Sequence, residues 1–112
     1  MEERSVFARR LRAAREARGV SQKQLGILAG IDQFVASARI NQYERGKHVP
    51  DVQTAQRLAA ELNVPVSCLY EPDDDLAELI QYIKNAIAGD PTLGPDSSFY
   101  EAAGYVRKNL VC

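Results

Sequence analysis

Few structures are open to the stretch from residue 21 to 46, SQKQLGILAGIDQFVASARINQYERG. Ser21 followed three residues later by Gln24 is a capping-box pair, in which each side chain satisfies the other residue's backbone N–H at a helix start. Leu25, Leu28 and Ala29 then recur at helical spacing. Gly30 stops that helix, because a residue without Cβ enters the left-handed region at little cost. A second run puts Ile40 and Tyr43 inward, leaves Ser37, Arg39, Asn41, Gln42 and Arg45 on its other faces, and closes at Gly46. The result is two short helices and a glycine-containing turn, the second helix crowded with long hydrogen-bonding side chains.

The flanks supply the rest of a helical core. Residues 7–18 form a first helix with Phe7, Leu11 and Ala14 on one face and Arg9, Arg10, Arg12, Arg15 and Arg18 on the remainder. Gly19 ends it, and Val20 precedes the next cap. Asp51 is the N-cap of a fourth helix over residues 52–62, with Val52, Ala55, Leu58, Ala59 and Leu62 at core spacing. Asn63 stops it. Pro65 opens a short fifth helix over 66–70 that brings Val66, Leu69 and Tyr70 to the core, and Glu71-Pro72 closes the unit.

Asp73, Asp74 and Asp75 place negative charge at the start of a sixth helix, where the macrodipole favours it. Its apolar stripe is Leu76, Leu79, Ile80, Ile83 and Ile87. The segment from Gly89 to Ser98 is rich in Gly, Pro and Asp and reads as a linker. A last helix carrying Phe99, Ala103, Val106 and Leu110 follows it. No strand-like alternation or internal repeat is present, so the expected architecture is all-α, with residues 1–71 as one domain and 72–112 as a helical extension.

Between Gly30 and Ile40 the turn is longer than two such helices need. Either a loop carries Phe34 and Val35 back to the core, or Asp32 caps a helix that starts early. An irregular stretch before an exposed Ser37 fits the residues better.

Charge is unevenly distributed. Residues 1–48 hold ten Lys or Arg against five Asp or Glu, a net of +5, whereas residues 49–112 hold four against ten, a net of −6. A basic first part suits a polyanionic partner. Cys68 and Cys112 make no disulfide framework, and no Cys/His spacing suggests a metal. No phosphate-cradling glycine loop is present, and His48, the single histidine, has no nucleophile or carboxylate at suggestive spacing, so neither an enzyme nor a cofactor is expected. Residues 1–10 lack the apolar core of a signal peptide, and no run approaches the roughly 18 apolar residues of a membrane span. A cytoplasmic protein without membrane association is expected.

Ser21-Gln22-Lys23-Gln24-Leu25, Leu28-Ala29-Gly30, Ile40-Asn41-Gln42-Tyr43-Glu44-Arg45-Gly46 and Pro50 together resemble the Cro/phage-repressor-type (Xre-like) helix-turn-helix family, over residues 7–70. The resemblance implies a five-helix lambda-repressor-like bundle, working as a dimer on palindromic double-stranded DNA. The turn before the second helix of the motif departs from the family, being about four residues longer than the family's usual length.

Residue by residue, the resemblance implies that Gln22, with Lys23 beside it, grips a DNA phosphate, as a helix start with free N–H groups can. It implies that Ser37, Ala38 and Gln42 face the bases, with Arg39 and Asn41 alongside. Gln42 can present an acceptor and donors to adenine, Ser37 can pair with either kind of group, and Ala38 offers an apolar contact to a thymine methyl. Arg15 and Glu44 match a family pair in which the acid orients the arginine toward a phosphate; an exposed pair of this kind contributes only about 0–1 kcal/mol. Arg45, Lys47 and His48, around Gly46, are candidate phosphate contacts, and Gly30 and Gly46 are structural.

The stripe from Leu76 to Ile87 either folds back onto the core or pairs with its copy in a second chain. A protein that reads two half-sites roughly 34 Å apart favours the homodimer, across which the last helix could be exchanged. The expected function is therefore sequence-specific DNA binding by a transcriptional regulator, a repressor. The competing reading, motivated by the acidic segment from Asp73 onward, is a helical interaction module such as an antitoxin. Nothing in the sequence identifies a small-molecule effector.

Overall fold

Local chemistry sets where each helix starts and stops. Ser5 Oγ accepts the N–H of Ala8 and opens α1 (Val6–Arg18), which Gly19 ends at φ 75°. The Ser21–Gln24 capping box is present in both directions at the start of α2 (Gln22–Leu28). Ala29 caps that helix and Gly30 follows at φ 89°. Asp51 accepts the N–H of Thr54 to start α4 (Val52–Leu62), and Asn63 ends it in the left-handed conformation. Between these lies α3 (Ala36–Glu44), and beyond them α5 (Val66–Tyr70) and α6 (Asp74–Gly89). This computed structural model describes residues 5–89, and among them every regular element is a helix. The helix and linker expected beyond Gly89, with Phe99, Ala103, Val106, Leu110 and Cys112, lie outside the described residues.

Two units divide the chain, residues 1–81 and 82–112. The first is a bundle whose core joins Phe7 and Leu11 of α1, Leu25 of α2, Ile40 and Tyr43 of α3, Ala55, Leu58 and Leu62 of α4, and Leu69 of α5. Leu11, Leu25, Ile40, Leu58 and Leu69 are sealed from solvent. Each such side chain contributes about 1.5–3 kcal/mol through burial. The architecture is the expected lambda-repressor-like bundle.

Several residues at core spacing do not reach the core. Leu28 is 54% exposed and Val52 71% exposed. Both stand in the first or last turn of their helices, where a stripe of correct period runs past the edge of what the neighbouring helices cover. Tyr70 is 46% exposed and packs its ring on Phe7, the centroids 5.0 Å apart and the planes tilted by 38°.

The start of α6 is tied to α1 and α5. Arg10 donates from Nε to the carbonyl of Glu71 at 2.6 Å and from Nη2 to Asp74 Oδ1 at 2.8 Å. The Cys68 thiol donates to the carbonyl of Ala77. Ala77, buried, is the residue α6 turns inward here, and Gln81 Nε2 donates to the carbonyl of Asn63. The stripe of Leu76, Leu79, Ile80, Ile83 and Ile87 lies about 100° round the helix from Ala77. Leu76, Leu79 and Ile87 are exposed, and Ile80 and Ile83 are half-buried.

Candidate nucleic-acid interface

The nine residues of α3 divide cleanly around the helix. Ala36, Ile40, Tyr43 and Glu44 are buried. At 3.6 residues per turn, Ala38, Asn41, Gln42 and Arg45 fall on the opposite side, with Ser37 and Arg39 on its two flanks. Ser37, Ala38, Arg39 and Arg45 are exposed; Asn41 and Gln42 are half-buried. The five candidate base-facing residues thus share the outer surface of one helix, but Arg39 stands on the flank away from Ser37 and Asn41.

The long turn takes neither of the two expected forms. Ile31 N–H donates back to the carbonyl of Gly26, and Asp32 then folds its carboxylate onto the N–H of Phe34 at 2.8 Å. Asp32 caps a turn, not a helix: Val35 N–H returns to the Asp32 carbonyl, Val35 takes the N-cap position, and α3 begins at Ala36. Phe34 and Val35 are not carried to the core; they are 87% and 42% exposed. The irregular stretch before an exposed Ser37 is as the residues suggested.

Beneath α3 sits the Arg15–Glu44 pair. Arg15 donates from Nε to Glu44 Oε2 at 2.6 Å, from Nη2 to Oε1 at 3.0 Å, and from Nη1 to the carbonyl of Val20 at 3.0 Å. Gln22 Nε2 also donates to Glu44 Oε1, at 3.2 Å. The expectation of an exposed pair is wrong in this respect, since the two side chains are 14% and 3% exposed. Both carboxylate oxygens are satisfied, which is what permits burial. The hydrogen bonds that Arg15 donates to Glu44 raise the pKa of its guanidinium further above the already high ordinary value.

This pair floors a polar recess lined by Arg12, Arg15, Gln22, Asn41, Glu44 and Arg45. Three cations against one carboxylate leave the recess positive, with amides from α2 and α3 at its rim. Arg12 was not singled out in the sequence; it stands three residues from Arg15, one turn along the same face of α1, and that spacing was the available signal. Arg12 also pairs with Glu16 at 2.9 Å.

Lys23 is exposed in the first turn of α2, where helical N–H groups lack an internal partner. Lys47 and His48 continue from the other end of α3, their N–H groups donating to the carbonyl of Gln42, and Gly46 makes the bend at φ 72°. Both side chains are exposed. Arg39, Arg45 and Lys47 enter no ion pair among the described residues. Of the candidate residues, Arg15, Gln22, Asn41, Glu44 and Arg45 are brought together in one recess. Ser37 and Ala38 lie at the N-terminal end of α3, and Lys47 and His48 lie beyond its C-terminal end.

Two short helices carrying an exposed, amide- and cation-rich second helix on a five-helix bundle define the helix-turn-helix class. A family model described as helix-turn-helix matches residues 11–67. The chain belongs to this Xre/Cro-like family of DNA-binding regulators and is not an enzyme. It is also similar to a solved structure titled as that of transcriptional regulator BswR, with 44% identity, a TM-score of 0.69, and coverage of 90% of this chain and 92% of that one. No curated protein matches it. Among the described residues no helix is long and apolar enough to cross a membrane, and no group of side chains has the make-up of a metal site.

Proposed function

We propose that the protein is a transcriptional repressor that binds a palindromic operator as a homodimer, each protomer laying α3 in the major groove of one half-site. The observation that carries this reading is the outer surface of α3, where Ser37, Ala38, Asn41 and Gln42 stand free of the core beside a positive recess. Major-groove edges are read by side chains of this kind, an amide matching adenine and an alanine methyl matching thymine. Arg39 is the candidate for guanine.

Arg15, Gln22, Lys23 and Arg45 surround that surface, and Lys47 and His48 follow it, so cations meet the backbone on both sides of the groove. Such contacts set register and supply salt-dependent affinity. Glu44 holds Arg15 in place, and Gly30 and Gly46 provide the left-handed bends that end the helices of the motif. The 44%-identical structure titled as a transcriptional regulator supports the regulatory role.

Dimerisation is assigned to residues 72–112, through Leu76, Leu79, Ile80, Ile83 and Ile87. A stripe with Leu79 and Ile87 more than half exposed is costly to leave in water, and one half-site reader needs a second copy.

Selection from a random duplex pool tests the whole reading. Enrichment of a palindrome is expected, together with a dimer by sedimentation that Leu79→Glu converts to monomer. No enrichment, with a co-purifying protein lost on changing α6, would favour the antitoxin-like interaction module.

A further inference from the structure

Phe34 is the most exposed large hydrophobic residue among those described. It stands in a loop that is fixed at both ends. Ile31 N–H holds the start to the carbonyl of Gly26, and Ala36, fully buried, holds the end against that same glycine. Between these anchors the Asp32 carboxylate and carbonyl take the N–H groups of Phe34 and Val35 at 2.8 and 3.1 Å. The ring is therefore presented by a tied turn, two residues before the first residue of α3 and four before Ala38.

We infer that Phe34 is a specificity-determining residue that packs against the 5-methyl group of a thymine at the end of α3 that enters the groove. The inference rests on the proposed major-groove docking of α3 and extends the reading surface beyond the helix itself. Recognition helices place their N-terminal residues against the base edges, so a side chain just ahead of that end meets the DNA if Ser37 and Ala38 do.

The loop's own chemistry selects what it can meet there. From Ile31 to Ala36 the one formal charge is the Asp32 carboxylate, and no Lys or Arg is present. A phosphate is repelled by that carboxylate and finds no cation in the loop. A phenyl ring neither donates nor accepts a conventional hydrogen bond, so it cannot distinguish the polar edges of guanine, cytosine or adenine. The thymine methyl is the apolar group on the major-groove floor, and phenylalanine is a suitable contact for it. Ala38, four residues on and exposed near the start of α3, offers the same chemistry with a smaller group.

The test compares wild type with Phe34→Ala on a duplex selected by the wild-type protein from a random pool, on a random duplex, and on versions of the selected duplex with each thymine replaced by deoxyuridine. Phe34→Ala is expected to bind the selected duplex about tenfold more weakly and the random duplex equally well. At one thymine per half-site, removal of the methyl is expected to weaken wild type about fourfold, the worth of one buried methyl group, and to leave Phe34→Ala unaffected. Because the ring touches little of its own chain, the urea midpoint of the variant should match wild type.

Three results would overturn the inference alone: equal binding of the selected duplex by both proteins, equal methyl sensitivity in both, or a changed sedimentation state in Phe34→Ala. The last would place the ring in a contact between protein copies. Failure of the wild type to enrich any sequence would overturn the docking on which the inference rests, and the inference with it.

Discussion

Gly26 and Ala36 lie where α2 crosses α3, and a Cβ placed on Gly26 would stand 2.7 Å from the Ala36 Cβ and 3.1 Å from its Cα and carbonyl oxygen. The glycine is needed for this approach, not for its backbone angles, because two of the three obstacles are backbone atoms that cannot swing aside. Gly26→Ala is expected to destabilise the fold by about 1–3 kcal/mol, the usual cost of overfilling a packed site. Ala36→Gly added to it should recover part of the loss. Urea denaturation of wild type and the two variants checks both statements; an unchanged midpoint for Gly26→Ala would contradict the packing argument.

Arg15 and Glu44 make a second rigid link under α3. Glu44→Ala strands the Arg15 guanidinium in a half-buried site. It should cost less than the about 3–5 kcal/mol of a fully sealed pair, since the arginine reaches the recess. Arg15→Met with Glu44→Leu should be closer to wild type in stability than either single change. The double variant should nonetheless bind all duplexes more weakly, through loss of the arginine charge. Paired stability and binding titrations separate the two effects.

Acid should weaken the fold through Asp51 and Asp74, two of the carboxylates whose pKa is lowered. The backbone N–H of Thr54 lowers the pKa of Asp51, and hydrogen bonds from Arg9 and Arg10 lower that of Asp74. A lowered folded-state pKa means that each contribution is complete above the unfolded value, about 3.9, and is lost as pH falls through the folded one. Melting temperatures measured from pH 6 downward should therefore fall more steeply below about pH 4 in wild type than in Asp51→Asn with Asp74→Asn. Parallel curves would remove both groups from the pH dependence.

Lys47, exposed beyond the C-terminal end of α3, should act as a point charge on the DNA backbone. Lys47→Ala is expected to weaken binding alike on every sequence and to reduce the slope of log affinity against log salt by about one. An unchanged slope would take Lys47 off the phosphate surface.

Much of this was legible because it is local. The Ser21–Gln24 box, the Asp51 cap and the left-handed Gly19 and Asn63 each depend on residues within one turn, and the structure has them as read. What failed depends on partners distant in the chain. Periodicity identifies the apolar stripes of α2 and α4 but not their covered length, and Leu28 and Val52 lie on stripes whose covered part stops short of them. A glutamate is exposed by default, and the burial of Glu44 follows from the convergence of Arg15 and Gln22 from two other helices. Ala77 is too small to mark itself as the inward contact of α6 amid larger apolar neighbours. The Asp32 turn is local in cause, yet the same Asp could have capped a helix, and the direction of Phe34 could not be read without the fold.

The central claim, that the outer surface of α3 reads bases, is tested most directly by the affinity of Gln42→Ala for the selected duplex and for a random duplex at one salt concentration. The account predicts a loss of about 1–3 kcal/mol on the selected duplex, the worth of one bidentate base contact, with binding to the random duplex unchanged. An equal loss on both duplexes, or none on either, would contradict it.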